Sequence, residues 1–180
     1  MKLLAISGSA RKESTNTALL SGMKDLAPTG VDLSVFNSLN ALPVFSPDSE
    51  GDATPAAVCE FMKAVSDNDG IIISSPEYIR AIPGGLKNAI DWMVSRYEII
   101  DKPIALVHAS HRGEDMLFSL RLVLSTVSKH FLDHLFLRIP LIGKLPVEIE
   151  ELLRAPEYES AITSFLMDFS AAVRQRKKCS

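Results

Sequence analysis

Leu3-Leu4-Ala5-Ile6-Ser7-Gly8-Ser9-Ala10-Arg11-Lys12-Glu13-Ser14-Thr15-Asn16-Thr17 is the stretch whose reading decides the fold. Four apolar residues in a row, closed by Gly8, have the character of a short strand buried on both faces. Leu19, Met23 and Leu26 then recur at i, i+4 and i+7, which is one face of a helix. A buried strand running into a helix through a polar loop is the unit from which a parallel α/β sheet is built.

The unit repeats along the chain. Residues 31–36 alternate largely at period two and predict a second strand. A loop from about Asn37 to Ala53 follows, punctuated by Pro43, Pro47 and Gly51. Val58, Phe61, Met62 and Val65 mark the second helix. Ile71-Ile72-Ile73 marks the third strand, and Leu86, Ile90, Met93 and Val94 the third helix. Ile104 to Val107 is the fourth strand, and Leu117, Leu120, Leu124 and Val127 outline the fourth helix. Phe136 to Ile139 is the predicted fifth strand. A closing helix runs from about Pro156 to Lys177, with its stripe at Ile162, Phe165, Leu166, Phe169 and Val173. The order βαβαβαβαβα predicts a doubly wound, five-stranded parallel sheet with helices on both faces. No repeat or linker divides residues 1–180, so one domain is expected.

Composition narrows the function classes. The net charge of −3 lacks the basic excess of a general nucleic-acid binder. The apolar run at the start stops at Ser7, too short for a signal peptide, and no stretch approaches the ~20 apolar residues of a membrane span. Cys59 and Cys179 form neither a CxxC motif nor a disulfide framework, and a reducing, cytoplasmic setting is expected. The basic tail Arg174-Gln175-Arg176-Lys177-Lys178 reads as cations opposing the negative end of a helix dipole.

In open α/β sheets ligands sit beyond the carboxyl ends of the strands. The loops to inspect are therefore Ser7–Asn16, Ser74–Gly85 and Ala109–Asp115. The first is neither GxGxxG nor GxxxxGK[ST], which disfavours a dinucleotide lying on a Rossmann turn and a triphosphate P-loop. It offers hydroxyls, an amide and the Arg11 guanidinium just before a helix, a place suited to a phosphate. The same residues would also serve if Ser14 or Thr15 merely capped the helix and Arg11 were solvated. In the second loop Pro76 and Pro83 stiffen the chain, Gly84 and Gly85 permit close approach, and Tyr78 could meet a planar ligand or simply face solvent.

Taken together, the loops resemble a known family. Residues 8–16, Gly-Ser-Ala-Arg-Lys-Glu-Ser-Thr-Asn, resemble the GSxRxxSxN phosphate loop of the NAD(P)H-dependent FMN reductases. Residues 76–92, Pro-Glu-Tyr-Ile-Arg-Ala-Ile-Pro-Gly-Gly-Leu-Lys-Asn-Ala-Ile-Asp-Trp, resemble that family's PEYNxSxPGxLKNAIDW segment, and Leu42 to Phe45 with Asp48 resemble its LPLFNPD stretch. The group includes quinone, chromate and azo-dye reductases. The resemblance implies a flavodoxin-like sheet of order 2-1-3-4-5 and bound FMN, with NADPH or NADH as co-substrate. With no second cofactor motif, one flavin face would serve nicotinamide and then acceptor, so a ping-pong passage of electrons to a small acceptor such as a flavin or quinone is expected. Ser9, Arg11, Ser14, Thr15, Asn16 and Thr17 would hold the FMN phosphate. Pro76, Glu77, Tyr78 and Ile79 would line the isoalloxazine, largely through backbone groups. Ser110, with Arg112 and Gly113, would flank the ring from the third loop. Ile79 and Ala81 depart from the family's Asn and Ser, which bears on the acceptor more than on FMN.

Other constellations are weaker. His130 and His134, four apart on a predicted helical stretch, could share a face as metal ligands, but no third ligand is evident. His108 ends a strand, and His111 lies in the third loop, where it could touch ring or substrate or be solvated. No G-x-S-x-G elbow marks a hydrolase. A flavodoxin-type electron carrier without a nicotinamide site is the alternative, disfavoured by the dispersed acidic residues and by Arg11. A homodimer or homotetramer is expected as well. Trp92, Tyr97 and Ile99 lie off the stripe of the third helix, as if for a second contact surface, unless Trp92 packs under the 37–53 loop.

Overall fold

The computed structural model describes residues 1–11, 13–94 and 97–179; Lys12 of the first loop and the side chains of Lys178 and Cys179 lie outside the described residues. In chain order the elements are β1 (Lys2–Ser7), α1 (Thr15–Asp25), β2 (Asp32–Phe36), α2 (Ala56–Asp67), β3 (Gly70–Ser74), α3 (Gly84–Val94), α4 (Tyr97–Ile100), β4 (Ile104–His108), α5 (Glu114–Val127), β5 (Phe131–Arg138), α6 (Pro146–Leu153) and α7 (Pro156–Cys179). The five strands form one sheet of order β2-β1-β3-β4-β5, every pair parallel. This is the doubly wound arrangement expected, with β1 and β3 flanking the point where the chain reverses direction across the sheet.

Alternation along the strands assigns each residue to one of two core layers. Leu4, Ile6, Ile71, Ile73, Ile104 and Leu106 point to the face covered by α2, α3 and α5. Leu3, Ala5, Ile72, Ala105 and Val107 point to the face covered by α1, α6 and α7. Successive side chains of a strand face opposite ways, and here both faces are covered. The three central strands are therefore buried along their whole apolar length, which explains their unbroken hydrophobic runs.

Several expectations are corrected. The fifth strand is Phe131–Arg138, which starts five residues before the expected Phe136 and stops one short of Ile139, because α5 already ends at Val127. His134 therefore lies on a strand and His130 in the turn before it, so the two do not share a helix face. Among the described residues no group of three or more His, Cys, Asp or Glu is placed to hold a metal. Helix α6 was not foreseen; it packs Ile149 and Leu153 onto α1. Val94 does not belong to the buried stripe of α3 and is exposed, whereas Trp92 and Ile99 are buried inside the chain itself. Trp92 donates its indole N–H to the Pro43 carbonyl at 2.8 Å and meets Phe45 edge-on. The 37–53 segment is thus the surface that Trp92 serves. Cys59 is exposed on α2. No described helix is long and apolar enough to cross a membrane.

Candidate functional site

The three loops meet at the carboxyl rim of the sheet. Gly8 donates its N–H to the Ser74 carbonyl at 2.7 Å, carrying the parallel register one residue past the strands. A Cβ at Gly8 would lie 2.9 Å from both Leu86 Cδ2 and Ser75 Oγ, so only glycine lets the first loop lie this close to the second. Ser14 then caps α1: its backbone is extended, and its Oγ accepts from the Thr17 N–H at 3.4 Å. No acidic side chain sits in the first turn. Among the described residues, the N–H groups of Thr15 and Asn16 have no acceptor, and the exposed Arg11 makes no ion pair. Unsatisfied amides at a helix start, with a free guanidinium near by, suit an anion.

The polar side chains of α1 are used unequally. Asn16 is buried and accepts from Ser74 Oγ at 2.9 Å through its Oδ1, which leaves its NH₂ group free to donate. Thr17 turns its hydroxyl back to Ser7 Oγ at 2.8 Å. Ser9 is buried and accepts from the Arg11 N–H at 3.3 Å. Of the six first-loop candidates, Thr15 and Asn16 line the cavity of about 300 Å³ between the three loops, whereas Ser14 and Thr17 line a separate, shallower one.

The second loop forms the opposite wall. Ser75, Pro76 and Glu77 line the cavity. Glu77 accepts from the Met116 N–H at 3.1 Å, so its carboxylate caps the start of α5. The chain then folds into a tight turn in which Tyr78 and Ala81 exchange both backbone hydrogen bonds. Ile79 and Arg80 occupy the middle of this turn with φ of 50° and 58°. A β-branched residue is a true outlier there, and Ile79 is also 98% exposed, so no packing within the chain accounts for it. Arg80 pairs with Asp115 of α5, a second tie between the second and third loops. Tyr78 and Ile79 do not line the cavity; they stand beyond its Glu77 wall.

In the third loop Ser110, Arg112 and Gly113 line the cavity, and His111 does not. Ser110 Oγ accepts from the Arg112 N–H at 2.9 Å. Ser75 and Ala109 line it from within the loops inspected, and two more lining residues lie outside those loops. Ile142, on the loop after β5, had no pattern to announce it. His108 is 2% exposed at the end of β4, where its strand position pointed only to burial. Burial pushes its pKa down from the ordinary histidine value. The motif residue Asn88 works at a distance from the cavity: its Oδ1 accepts from the Phe45 N–H at 2.8 Å, and its Nδ2 donates to the Pro43 carbonyl at 2.9 Å.

The family model of the NADPH-dependent FMN reductases matches residues 1–140. A 2-hydroxy-1,4-benzoquinone reductase from a Burkholderia species is 37% identical over 92 residues, covering 51% of this chain and 49% of the relative. The quinone reductase of Escherichia coli K12 is 33% identical over 118 residues, covering 63% of this chain and 61% of the relative. The chain thus matches about half to three fifths of the length of these curated relatives. Among solved structures, the flavoenzyme NAD(P)H:acceptor oxidoreductase FerB from Paracoccus denitrificans superimposes with a TM-score of 0.69 at 22% identity, covering 98% of this chain and 97% of that one, a likeness of fold. With its anion-ready loop before α1, its stiff second loop and a family match spanning both, this chain belongs to the NADPH-dependent FMN reductase family.

Proposed function

We propose that the chain binds FMN at the carboxyl rim of the sheet, and with it oxidises NADPH or NADH and reduces a small acceptor of the quinone or flavin class. The observation that carries this reading is the start of α1, where the unsatisfied N–H groups belong to Thr15 and Asn16, which line a cavity shared with the second and third loops. The names of the quinone-reducing relatives support the acceptor class. The residues present fit the cofactor. Arg11, Ser9 and the amides of Thr15 and Asn16, with Ser14 and Thr17 around them, would hold a phosphate dianion by charge-assisted hydrogen bonds. Pro76, Glu77, Tyr78 and Ile79 would border the ring on one side, and Ser110, Arg112 and Gly113 on the other. FMN supplies the two-electron chemistry that no side chain here can supply, and the protein's part is to bind, orient and screen it. The Glu77–Met116 and Arg80–Asp115 contacts link the second loop to the start of α5.

The same reading includes a cytoplasmic setting, which rests on low cysteine usage. It includes a homodimer or homotetramer, supported by Val94 and Tyr97, which stay exposed beside α3. A mass above 19.7 kDa in light scattering tests the latter.

The deciding experiment is anaerobic titration of the FMN-loaded protein with NADPH and then NADH, followed by addition of a quinone. Loss of the yellow absorbance with either nicotinamide, and its return with the quinone, is the expected outcome. Bleaching by dithionite but by neither nicotinamide would make the protein an electron carrier instead.

A further inference from the structure

His108 is a buried, titratable side chain in the wall of the cavity, and nothing in the proposed reaction uses it. Its Nε2 is hydrogen-bonded to the main-chain carbonyl of Arg112. A carbonyl can only accept, so Nε2 carries the hydrogen. In the neutral ring Nδ1 is then bare; it is buried and takes part in no hydrogen bond of good geometry among the described residues, although the Ser75 main chain lies beside the ring. The bond spans four residues and closes the third loop on itself. Gly113 completes the closure: its φ is 102°, and a Cβ there would stand 2.9 Å from His108 Nε2 and 3.7 Å from Glu77 Cβ. The loop that carries Ser110, Arg112 and Gly113 is therefore wrapped around the imidazole.

We propose that neutral His108 is the positioning residue of the third loop, and that a proton taken up from solvent at its bare Nδ1 opens this loop and weakens the hold on the bound flavin. The inference rests on the FMN reading for its affinity arm and on geometry alone for its structural arm. The groups facing the ring come from every neighbouring element. Arg138 of β5 opposes a positive ring, and Glu114 of α5 favours one. The main chains of Arg112 and Ser75 also favour the charged form, and Glu77 stands on the far side of Gly113. Burial outweighs the favourable contributions, so the ring is neutral in the closed loop. A charged ring gains by reaching water, and that gain from relieved burial drives the loop open against the Arg112 bond.

Histidine-selective nitrogen NMR on the whole protein tests the structural arm. The expected result is the Nε2–H tautomer for His108, a midpoint below the ordinary histidine value, and loss of hydrogen-exchange protection at Arg112–Glu114 as that midpoint is crossed. An Nδ1–H tautomer, or protection indifferent to pH, would overturn the proposal. FMN dissociation constants for the parent, His108→Gln and His108→Ala test the other arm. Glutamine can still donate to Arg112 and cannot titrate. His108→Ala should weaken FMN about tenfold by loss of that bond, and His108→Gln should recover most of it. Between about pH 8 and about pH 5 the parent should lose about tenfold more affinity than His108→Gln, since histidine titrates in that range and the flavin phosphate is common to both. Equal pH slopes for the two proteins would overturn the proposal even if His108→Ala fails to fold. If the parent binds no FMN at any pH, the FMN reading fails, and the tautomer and exchange results still decide this inference.

Discussion

Asp69 and Arg11 sit at opposite rims of one sheet and are used in opposite ways. At the amino-terminal rim Asp69 accepts from the Lys2 N–H at 2.8 Å and from Lys177 Nζ at 2.6 Å, joining β1, the start of β3 and the last helix. Near by, Lys102 buries its stem and donates to the carbonyls of Asn68 at 2.6 Å and Ser66 at 3.4 Å. Charged side chains there close the structure. At the carboxyl rim the Arg11 guanidinium and the first amides of α1 have no partner among the described residues. The parallel strands direct every crossover helix to begin at that rim, so unsatisfied N–H groups and positive dipole ends collect on one side. The difference teaches where to look for a ligand: at the rim whose polar groups the fold leaves open.

The comparison can be broken at either rim. The largest effect is expected for Gly113→Ala, which sets a Cβ against His108 at a positive φ; FMN affinity should fall by about a hundredfold or more, and stability by about 1–3 kcal/mol. Isothermal titration and a thermal melt measure the two. Arg11→Ala should weaken FMN about tenfold to a hundredfold, the worth of about 1.5–3 kcal/mol for a charge-assisted bond. The melting point without ligand should not move, because Arg11 is exposed and makes no ion pair among the described residues; a lower melting point would mean that the carboxyl rim is structural too.

Asp69→Ala is the mirror experiment. It should cost about 1–2 kcal/mol by stranding the Lys2 N–H, and FMN affinity should stay the same. Burial pushes the Asp69 carboxyl up, but the hydrogen bonds from Lys177 and the Lys2 main chain outweigh it and hold the pKa below its ordinary 3.8. A depressed carboxyl stabilises above the ordinary value, and that stability is lost as pH falls through the lower folded value. The parent should therefore begin to lose its advantage over Asp69→Ala as pH falls below about 4, and draw level only below the depressed folded value. The smallest effect is expected for Ile79→Asn. Asparagine tolerates the left-handed region better, so the melt should rise by the equivalent of about 1 kcal/mol, with FMN affinity within a factor of about two because the backbone is kept.

How much of this was legible in the sequence depends on how local each cause is. Buried strands announce themselves by composition, and residues 3–6, 71–73 and 104–107 were readable for that reason. The edge strand β5 was read short because only one side of an edge strand is paired; Asp133 and His134 interrupt its apolar pattern and are exposed. The loops of the candidate site were legible through motif and position. What stayed hidden was the work of residues tied across the sequence. Asn88 and Trp92 look like part of a ligand segment, yet they fasten a turn some 43–49 residues earlier in the chain. His108 reads as a strand end, because nothing local shows that Gly113 and Arg112 fold back over it.

Trp92 is the chain's one tryptophan, fully shielded, with its indole N–H held by Pro43 and its ring set T-shaped against Phe45. An indole in such surroundings emits at short wavelength and is reached poorly by collisional quenchers such as acrylamide. Lifting the 43–45 turn would hydrate the ring and shift its emission to the red while the sheet beneath stayed intact. The molecule thus carries an optical gauge of one segment. Stopped-flow emission on mixing with denaturant would show whether that turn comes away before the strands separate.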